Sequence, residues 1–449
     1  MSQVADGASA QVPLPGVRWI GACAELSAND RRALFERTAS EGDVTIRART
    51  AAIVADVRNR GDDALRLLAT ELDGVALAEL EVPRARWVAA LEALEPSLRA
   101  AMERSASNIR RIHEAFRPSP QEAESEPGII VGRRPDALGR IGVYAPGGRA
   151  AYPSSVLMGV IPARVAGVAE VVVCSPPTHA RGLPSDVVLA AAALAGADRV
   201  FALGGAGAIA AMAYGTASVP RVDRIVGPGN AYVAEAKLQV ASAVAIDSPA
   251  GPSELLVLAD DAADPRLVAR EMMAQAEHDP LAAVVAVVAS RAVAEAVVAA
   301  LATDILAQPR RDIVAAALAG QGAVLWTETV QQAVVFANQY AAEHLLLLVT
   351  TPDDVLPRLR NAGTVFVGEY ASVAFGDYMT GANHVLPTGG LARSYSGLST
   401  LDFVRWTTYQ RVTREAAARL ANDVDVFATA EGLGGHALAA RWWRDEGIA

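Results

Sequence analysis

The stretch AEVVVCSPP at residues 169–177 is followed, after an Ala-rich run, by RVFALGG at 199–205. Each is a short run of β-branched or aromatic residues closed by Pro or Gly, and the VVLAAAALAGA between them has the length and apolar content of a buried helix. Strand, helix and strand at this spacing make a βαβ unit, which calls for a parallel sheet with helices on its faces. The same alternation extends to both sides, with IGVYAPGG (141–148) before it and AIAAMAYG and RVDRIVGPGN after it. Residues 141–252 therefore read as one doubly wound α/β domain, whose glycine turns at the strand ends mark the usual place for a ligand.

Further out, ELLVLAD (254–260), AAVVAVVA (282–289), GAVLWTE (322–328), HLLLLVT (344–350) and GTVFVGE (363–369) predict the strands of a second α/β unit. Upstream, residues 27–117 read as helical throughout, with Ser27 as an N-cap and a helical pattern that stops at Gly74. SPQEAESEPGIIVGRRPDA (119–137) reads as a polar connection with a short extended piece. From TLDFVRWTTYQRV to its end the chain reads as a mainly helical C-terminal appendage.

Composition narrows the function classes. At 449 residues and 52% hydrophobic, the chain can bury large cores in two or more domains. A formal net charge of -10 argues against a nucleic-acid partner. Only Cys23 and Cys174 are present, which excludes a disulfide framework and suits a reducing compartment. The N-terminus lacks a basic region followed by an apolar core, so the expected location is cytoplasmic. The most apolar stretch, LAAVVAVVAS (281–290), is stopped by Arg291 and Glu295 well short of the ~20 residues a membrane span needs. It reads as a buried strand, and no membrane partner is expected.

The six histidines carry the chemistry. His113 and His179 are expected on the surface. The other four sit in segments dense with polar groups: Gln275 and His278 in AQAEHDP, Glu343 and His344 in YAAEHL, Asp377 and His384 in FGDYMTGANHVLP, Glu431 and His436 in ATAEGLGGHALAA. Gln275 and His278 are three apart on a helix, so they project from one face. Any one of these residues fits a satisfied core position or a partner for a helix dipole. Together they supply enough ligands for a divalent metal and a general base besides, although spacing alone gives no convergence. Gly205, Gly207 and Ala210 match the outline of a dinucleotide fingerprint, with Asp223 loosely at the acidic position, but tight strand-to-helix packing accounts for them equally. GPGN (227–230) and APGG (145–148) are turns, or backbone donors for a phosphate or carboxylate.

GVYAPGG, ALGGAGAIAAMAYGT, VDRIVGPGNAYV, AGPSELLVLAD, AQAEHDP, YAAEHL, GDYMTGANHVLPTGG and GLGGHALAA come one after another in the order and spacing of the histidinol dehydrogenases, which the chain resembles from about residue 25 to its end. The resemblance implies two incomplete, doubly wound, Rossmann-like α/β domains with small helical N- and C-terminal appendages. Residues 1–30 would be an N-terminal arm, 31–140 and 253–397 the domain with metal and catalytic residues, 141–252 the NAD-contacting domain, and 398–449 an appendage reaching the partner subunit. It implies oxidation of L-histidinol through L-histidinaldehyde to L-histidine, with two NAD consumed, one Zn2+ per subunit and an intertwined homodimer. Gln275, His278, Asp377 and His436 match the family's zinc ligands, and Glu343 and His344 its catalytic pair. Ser253, His384 and Glu431 match substrate contacts, shared with the four zinc ligands and His344; Tyr144 and Asn230 match NAD contacts. Two departures stand out: Gly207 occupies the place of a usual Gln that touches NAD, and Ala342 the place of a usual Pro. The competing readings are a related dehydrogenase for another small hydroxylated compound, a metallohydrolase with Glu343 as base, and a noncatalytic binder.

Overall fold

The computed structural model describes residues 16–37, 44–147 and 151–445. Gly148 of the APGG turn and the first part of the N-terminal arm lie outside the described residues. In chain order the strands are β1 (Trp19–Ala22), β2 (Gln121–Glu126), β3 (Ile129–Ala137), β4 (Arg140–Tyr144), β5 (Glu170–Ser175), β6 (Arg199–Ala202) and β7 (Arg224–Val226). They continue with β8 (Ala245–Ile246), β9 (Glu254–Ala259), β10 (Ala283–Val288), β11 (Gly322–Trp326), β12 (His344–Leu348), β13 (Thr364–Val367) and β14 (Val404–Val412).

They form three sheets. A five-stranded parallel sheet has the order β6-β5-β4-β7-β8, and a six-stranded parallel sheet the order β1-β11-β10-β9-β12-β13. Strands β9, β10 and β12 are buried along their whole length, which is why they read as unbroken apolar runs rather than alternating ones. Every strand expected in these two units is present, and the 281–290 stretch is indeed the buried β10. Among the described residues no helix is long and apolar enough to cross a membrane.

The third sheet corrects two expectations. Residues 119–137 are not a polar connection but two strands, and TLDFVRWTTYQRV opens with a short 3-10 turn and then a strand; β14, β3 and β2 pair antiparallel, from Val404 opposite Ala137 to Val412 opposite Ile129. Every residue of β2 is exposed, so QEAESE has no apolar alternation to announce it, and its pairing is carried by the backbone. Only after β14 do the helices Arg414–Ala430 and Gly434–Asp445 complete the appendage.

Packing also differs from the expected division of the chain. The helices Val44–Arg60, Asp62–Leu72, Arg84–Glu92 and Pro96–Ala115 bury Val57, Leu65, Trp87 and Ile109 in one apolar cluster with Ile141, Val172, Phe201 and Ile225. Residues 44–115 thus share their core mainly with 141–252, joined by Val385, where the expected boundaries grouped them with 253–397. An amphipathic helix shows that one face is buried but not against which sheet. The N-terminal arm, for its part, supplies β1 to the edge of the six-stranded sheet, where Trp19 and Leu34 pack with Leu256 and Leu325. His113, expected on the surface, is 2% exposed in this packing, and neither ring nitrogen has a hydrogen-bond partner.

Candidate active site

Glu254 is the first residue of β9, and His344 the first of the neighbouring β12. The backbone N–H of Glu254 donates to the Glu343 carboxylate at 2.7 Å, and His344 Nδ1 lies 3.0 Å from the Glu254 carbonyl oxygen. A carbonyl only accepts, so Nδ1 carries a proton, and in the neutral ring Nε2 holds the lone pair. That Nε2 is buried, has no hydrogen-bond partner and faces Asp377 Oδ1 at 3.7 Å. Burial alone would push the imidazole down, but the Glu343 carboxylate, 3.3 Å from Nδ1, and then Asp377 overcome it and raise its pKa to about 10. Burial lifts the Glu343 carboxyl above the ordinary carboxylate range, with His344 opposing.

The helix Pro265–Ala276 delivers the next two groups. Gln275, in its last turn, is 2% exposed, and its Nε2 has no partner; His278, half-buried, comes after the turn with its N–H on the Gln275 carbonyl at 3.3 Å. Asp377 lies in the short helix Val373–Tyr378. Burial opposes its ionisation, but His344, then His384 and His278, hold its pKa below the usual value. His384 Nδ1 is 3.0 Å from the Asp377 carbonyl, and its Nε2 is 3.4 Å from Ser155 Oγ, on the helix Pro153–Ala166 that comes after β4. Ser253 is half-buried immediately before β9. The structure thus brings Ser253, Gln275, His278, Glu343, His344, Asp377 and His384 to the amino ends of the six-stranded sheet.

It does not bring Glu431 or His436 there. Both are exposed on the C-terminal helices, where His436 lines an apolar groove with Val412, Val424, Trp442 and Trp443. Among the described residues no three His, Cys, Asp or Glu side chains form a group able to hold a metal. By donor type the three expected ligands on this side of the molecule suit zinc: Gln275 offers an amide oxygen, His278 an imidazole and Asp377 a carboxylate. The buried Gln275 amide nitrogen has no partner, which is costly and is consistent with a side chain kept for a ligand.

The residues expected at NAD lie at the carboxyl ends of the other sheet. Tyr144 ends β4, and its hydroxyl accepts the Gly205 N–H at 3.1 Å, tying two glycine turns together. Asn230 caps the helix Ala231–Val240, its Oδ1 accepting from Tyr232 and Val233 N–H. A Cβ at Gly207 would sit 3.0 Å from Leu68 and 3.5 Å from Leu65, so this position faces the helix Asp62–Leu72 and serves helix packing. Gly227 is obligatory: its φ is +115°, and a Cβ would lie 2.1 Å from the Tyr144 carbonyl oxygen.

Four further residues of these two sites escaped the sequence analysis. Lys237, the only lysine in the sequence, is buried, donates to the Gly227 carbonyl at 2.5 Å and pairs with Asp247, which also accepts the Gly227 N–H at 2.7 Å. Arg37 and Glu254 form the corresponding buried pair at the other site, 2.8 Å apart. The solitary lysine was a visible signal. Nothing local distinguished Arg37, Glu254 or Asp247.

Two abutting Rossmann-like sheets, with a buried carboxylate–imidazole pair at the amino ends of one of them, are the architecture of an α/β enzyme. The family model for histidinol dehydrogenase matches residues 36–443. Over 419 residues the chain is 49% identical to the histidinol dehydrogenase of Natronomonas pharaonis, covering 93% of this chain and 98% of that one. The corresponding protein of Methanosarcina barkeri is 44% identical over 418 residues, 93% of this chain and 96% of its own. The crystal structure of histidinol dehydrogenase from Elizabethkingia anophelis matches with a TM-score of 0.90 at 31% identity, covering 95% of this chain and 98% of that one. The chain belongs to the histidinol dehydrogenase family, oxidoreductases of histidine biosynthesis.

Proposed function

We propose that this protein oxidises L-histidinol through L-histidinaldehyde to L-histidine, in the cytoplasm, with two NAD reduced per substrate and one Zn2+ per subunit. The observation that carries the reading is the buried His344, its Nδ1 proton committed to the Glu254 carbonyl and its Nε2 without a partner beside Asp377. Gln275, His278 and Asp377 would hold the metal, with His436 supplied by a second copy of the chain. When bound, zinc would offset the Asp377 charge, which with Glu343 raises the His344 pKa, and would serve as a template for the substrate's imidazole and amine.

In the first oxidation His344 Nε2 takes the hydroxyl proton as hydride leaves the carbinol carbon. Water then adds to the aldehyde. Glu343, made more basic by burial, takes the proton of that water, and His344 takes a hydroxyl proton of the hydrate as the second hydride leaves. NAD, when bound, would supply the nicotinamide acceptor for both hydrides. The balance is alcohol, water and two NAD+ in, carboxylate, two NADH and three protons out.

Ser253 and His384 would line the substrate from this chain, and Glu431 from the second copy. The exposed Val424, Phe427, Trp442 and Trp443 of the C-terminal helices give that copy an apolar surface to cover. NAD would lie over Tyr144 and Asn230, without a contribution from Gly207.

The test is the NADH formed per L-histidinol consumed by the zinc-loaded protein, with and without chelator. Two equivalents, abolished by chelation, are expected. Absence of NADH with zinc bound would redirect the reading to another hydroxylated substrate, and turnover without NAD to a hydrolase.

A further inference from the structure

The structure assigns Arg37 and Glu254 as positioning residues that hold the Glu343–His344 pair in its working arrangement, an inference that rests on the acid–base role proposed for that pair. Glu254 touches both members through its backbone: its N–H donates to the Glu343 carboxylate at 2.7 Å, and its carbonyl accepts from His344 Nδ1 at 3.0 Å. Whatever sets the main chain at 254 therefore sets the Glu343 carboxylate and the His344 tautomer together.

The Glu254 side chain pins that main chain. Its Oε1 accepts the Gly389 N–H at 2.5 Å, and its Oε2 accepts from Arg37 Nη2 at 2.8 Å and from the Glu343 N–H at 3.4 Å. Arg37, 6% exposed, closes the opposite side. The same Nη2 reaches the carbonyls of Tyr340 and Ala341 at 2.9 and 3.1 Å, and the guanidinium lies 3.7 Å from the centre of the Tyr340 ring. These carbonyls end the helix Val330–Tyr340, where the last acceptors have no partner within the helix. Ala341 carries the chain out of that helix at a φ of +54°, a left-handed conformation that an alanine holds only when its surroundings enforce it. Glu343 comes two residues later. One guanidinium thus joins the turn that delivers Glu343 to the residue that orients it.

Stability alone does not call for this arrangement. A buried ion pair gains little over apolar packing of the same volume, and Glu254 sets a second carboxylate against the buried Glu343, whose ionisation it opposes. What the pair supplies is direction, the Nδ1 proton tied back and Nε2 turned to Asp377. Residues that orient a catalytic or ligating side chain in this way typically matter 10- to 100-fold.

The experiment uses Glu254→Gln, Arg37→Lys and the double variant Arg37→Met/Glu254→Gln, the last removing both charges so that neither is left buried alone. In all three, kcat with L-histidinol is expected to fall about 10- to 100-fold while KM stays within about 2-fold. In 15N-histidine NMR, the hydrogen-bonded Nδ1–H of His344 should shift or vanish in Glu254→Gln, with the other histidine signals kept. A kcat within about 2-fold of the parent in variants that keep the parent's melting profile would overturn the inference, as would a loss of kcat that only tracks the loss of folded protein. Should the parent itself fail to oxidise L-histidinol, the functional reading falls, and the NMR signal still tests the positioning.

Discussion

The two parallel sheets are wound alike and used at opposite ends. Leaving aside β1, which extends the six-stranded sheet at its edge, the first strand in sequence lies inside each sheet, with the second and third to one side and the fourth and fifth to the other: β6-β5-β4-β7-β8 and β11-β10-β9-β12-β13. The five-stranded sheet offers its carboxyl ends, where Tyr144, Gly205 and Gly227 gather and helices begin. The six-stranded sheet offers its amino ends, where Glu254 and His344 begin strands and the helices bearing Gln275 and Tyr340 finish. Helix beginnings carry partial positive charge and helix ends partial negative charge. One sheet therefore gathers partly positive helix beginnings and the other partly negative helix ends, which suits the placement proposed for NAD at the first and for a cation at the second. The contact between His384 and Ser155, at the start of the helix after β4, joins the two surfaces. An enzyme that needs both a dinucleotide and a metal can place them side by side by abutting unlike ends of two like sheets.

The sharpest way to break this comparison is at the cation end. His278→Asn removes an imidazole from the proposed metal set; metal content and NADH formation should fall together by about 100-fold, and full activity in a metal-free protein would end the assignment. Glu343→Gln should slow oxidation of the aldehyde hydrate by about 100- to 10,000-fold while the alcohol step changes much less. Feeding the variant L-histidinaldehyde and L-histidinol in turn separates the steps, and equal losses would contradict the division of labour.

At the anion end the largest effect is on stability. Lys237→Met leaves Asp247 buried without its partner beneath Gly227, at a cost of about 3–5 kcal/mol, and the KM for NAD should rise more than that for L-histidinol. Denaturant melts and the two KM values measure this directly.

The smallest effect belongs to neither end. Burial lowers the His113 pKa to about 4 from its ordinary value of 6.5, so the unfolded chain binds the proton more readily. His113 therefore contributes full stability above pH 6.5 and loses it as pH falls toward 4. The total is on the order of 3 kcal/mol at the acid limit. His113→Leu should flatten the acid side of the stability profile, and an unchanged profile in pH-dependent melts would show that the ring does not titrate there.

Much of this was legible in advance. β9 to β12 stand out as apolar runs because both faces of a parallel sheet are covered, and the Gln275–His278 and Glu343–His344 pairs stand out as knots of polar groups in an Ala- and Val-rich chain. β2 was invisible because none of its side chains is buried, and His113 was misplaced because a helix face gives no sign of what packs on it. Arg37 and Glu254, far apart in the chain, gave no sign of meeting.

The sequence by itself determined the kinds of elements and the inventory of acids, imidazoles and glycines, because hydrophobic periodicity and side-chain chemistry are local properties. Only the tertiary structure decided that Glu254 would orient Glu343 and His344, that residues 44–115 would join the core of 141–252, and that Glu431 and His436 would stand away from the site their own chain assembles. Those outcomes depend on which distant surfaces pack together, and each is a choice among apolar faces that look alike along the chain.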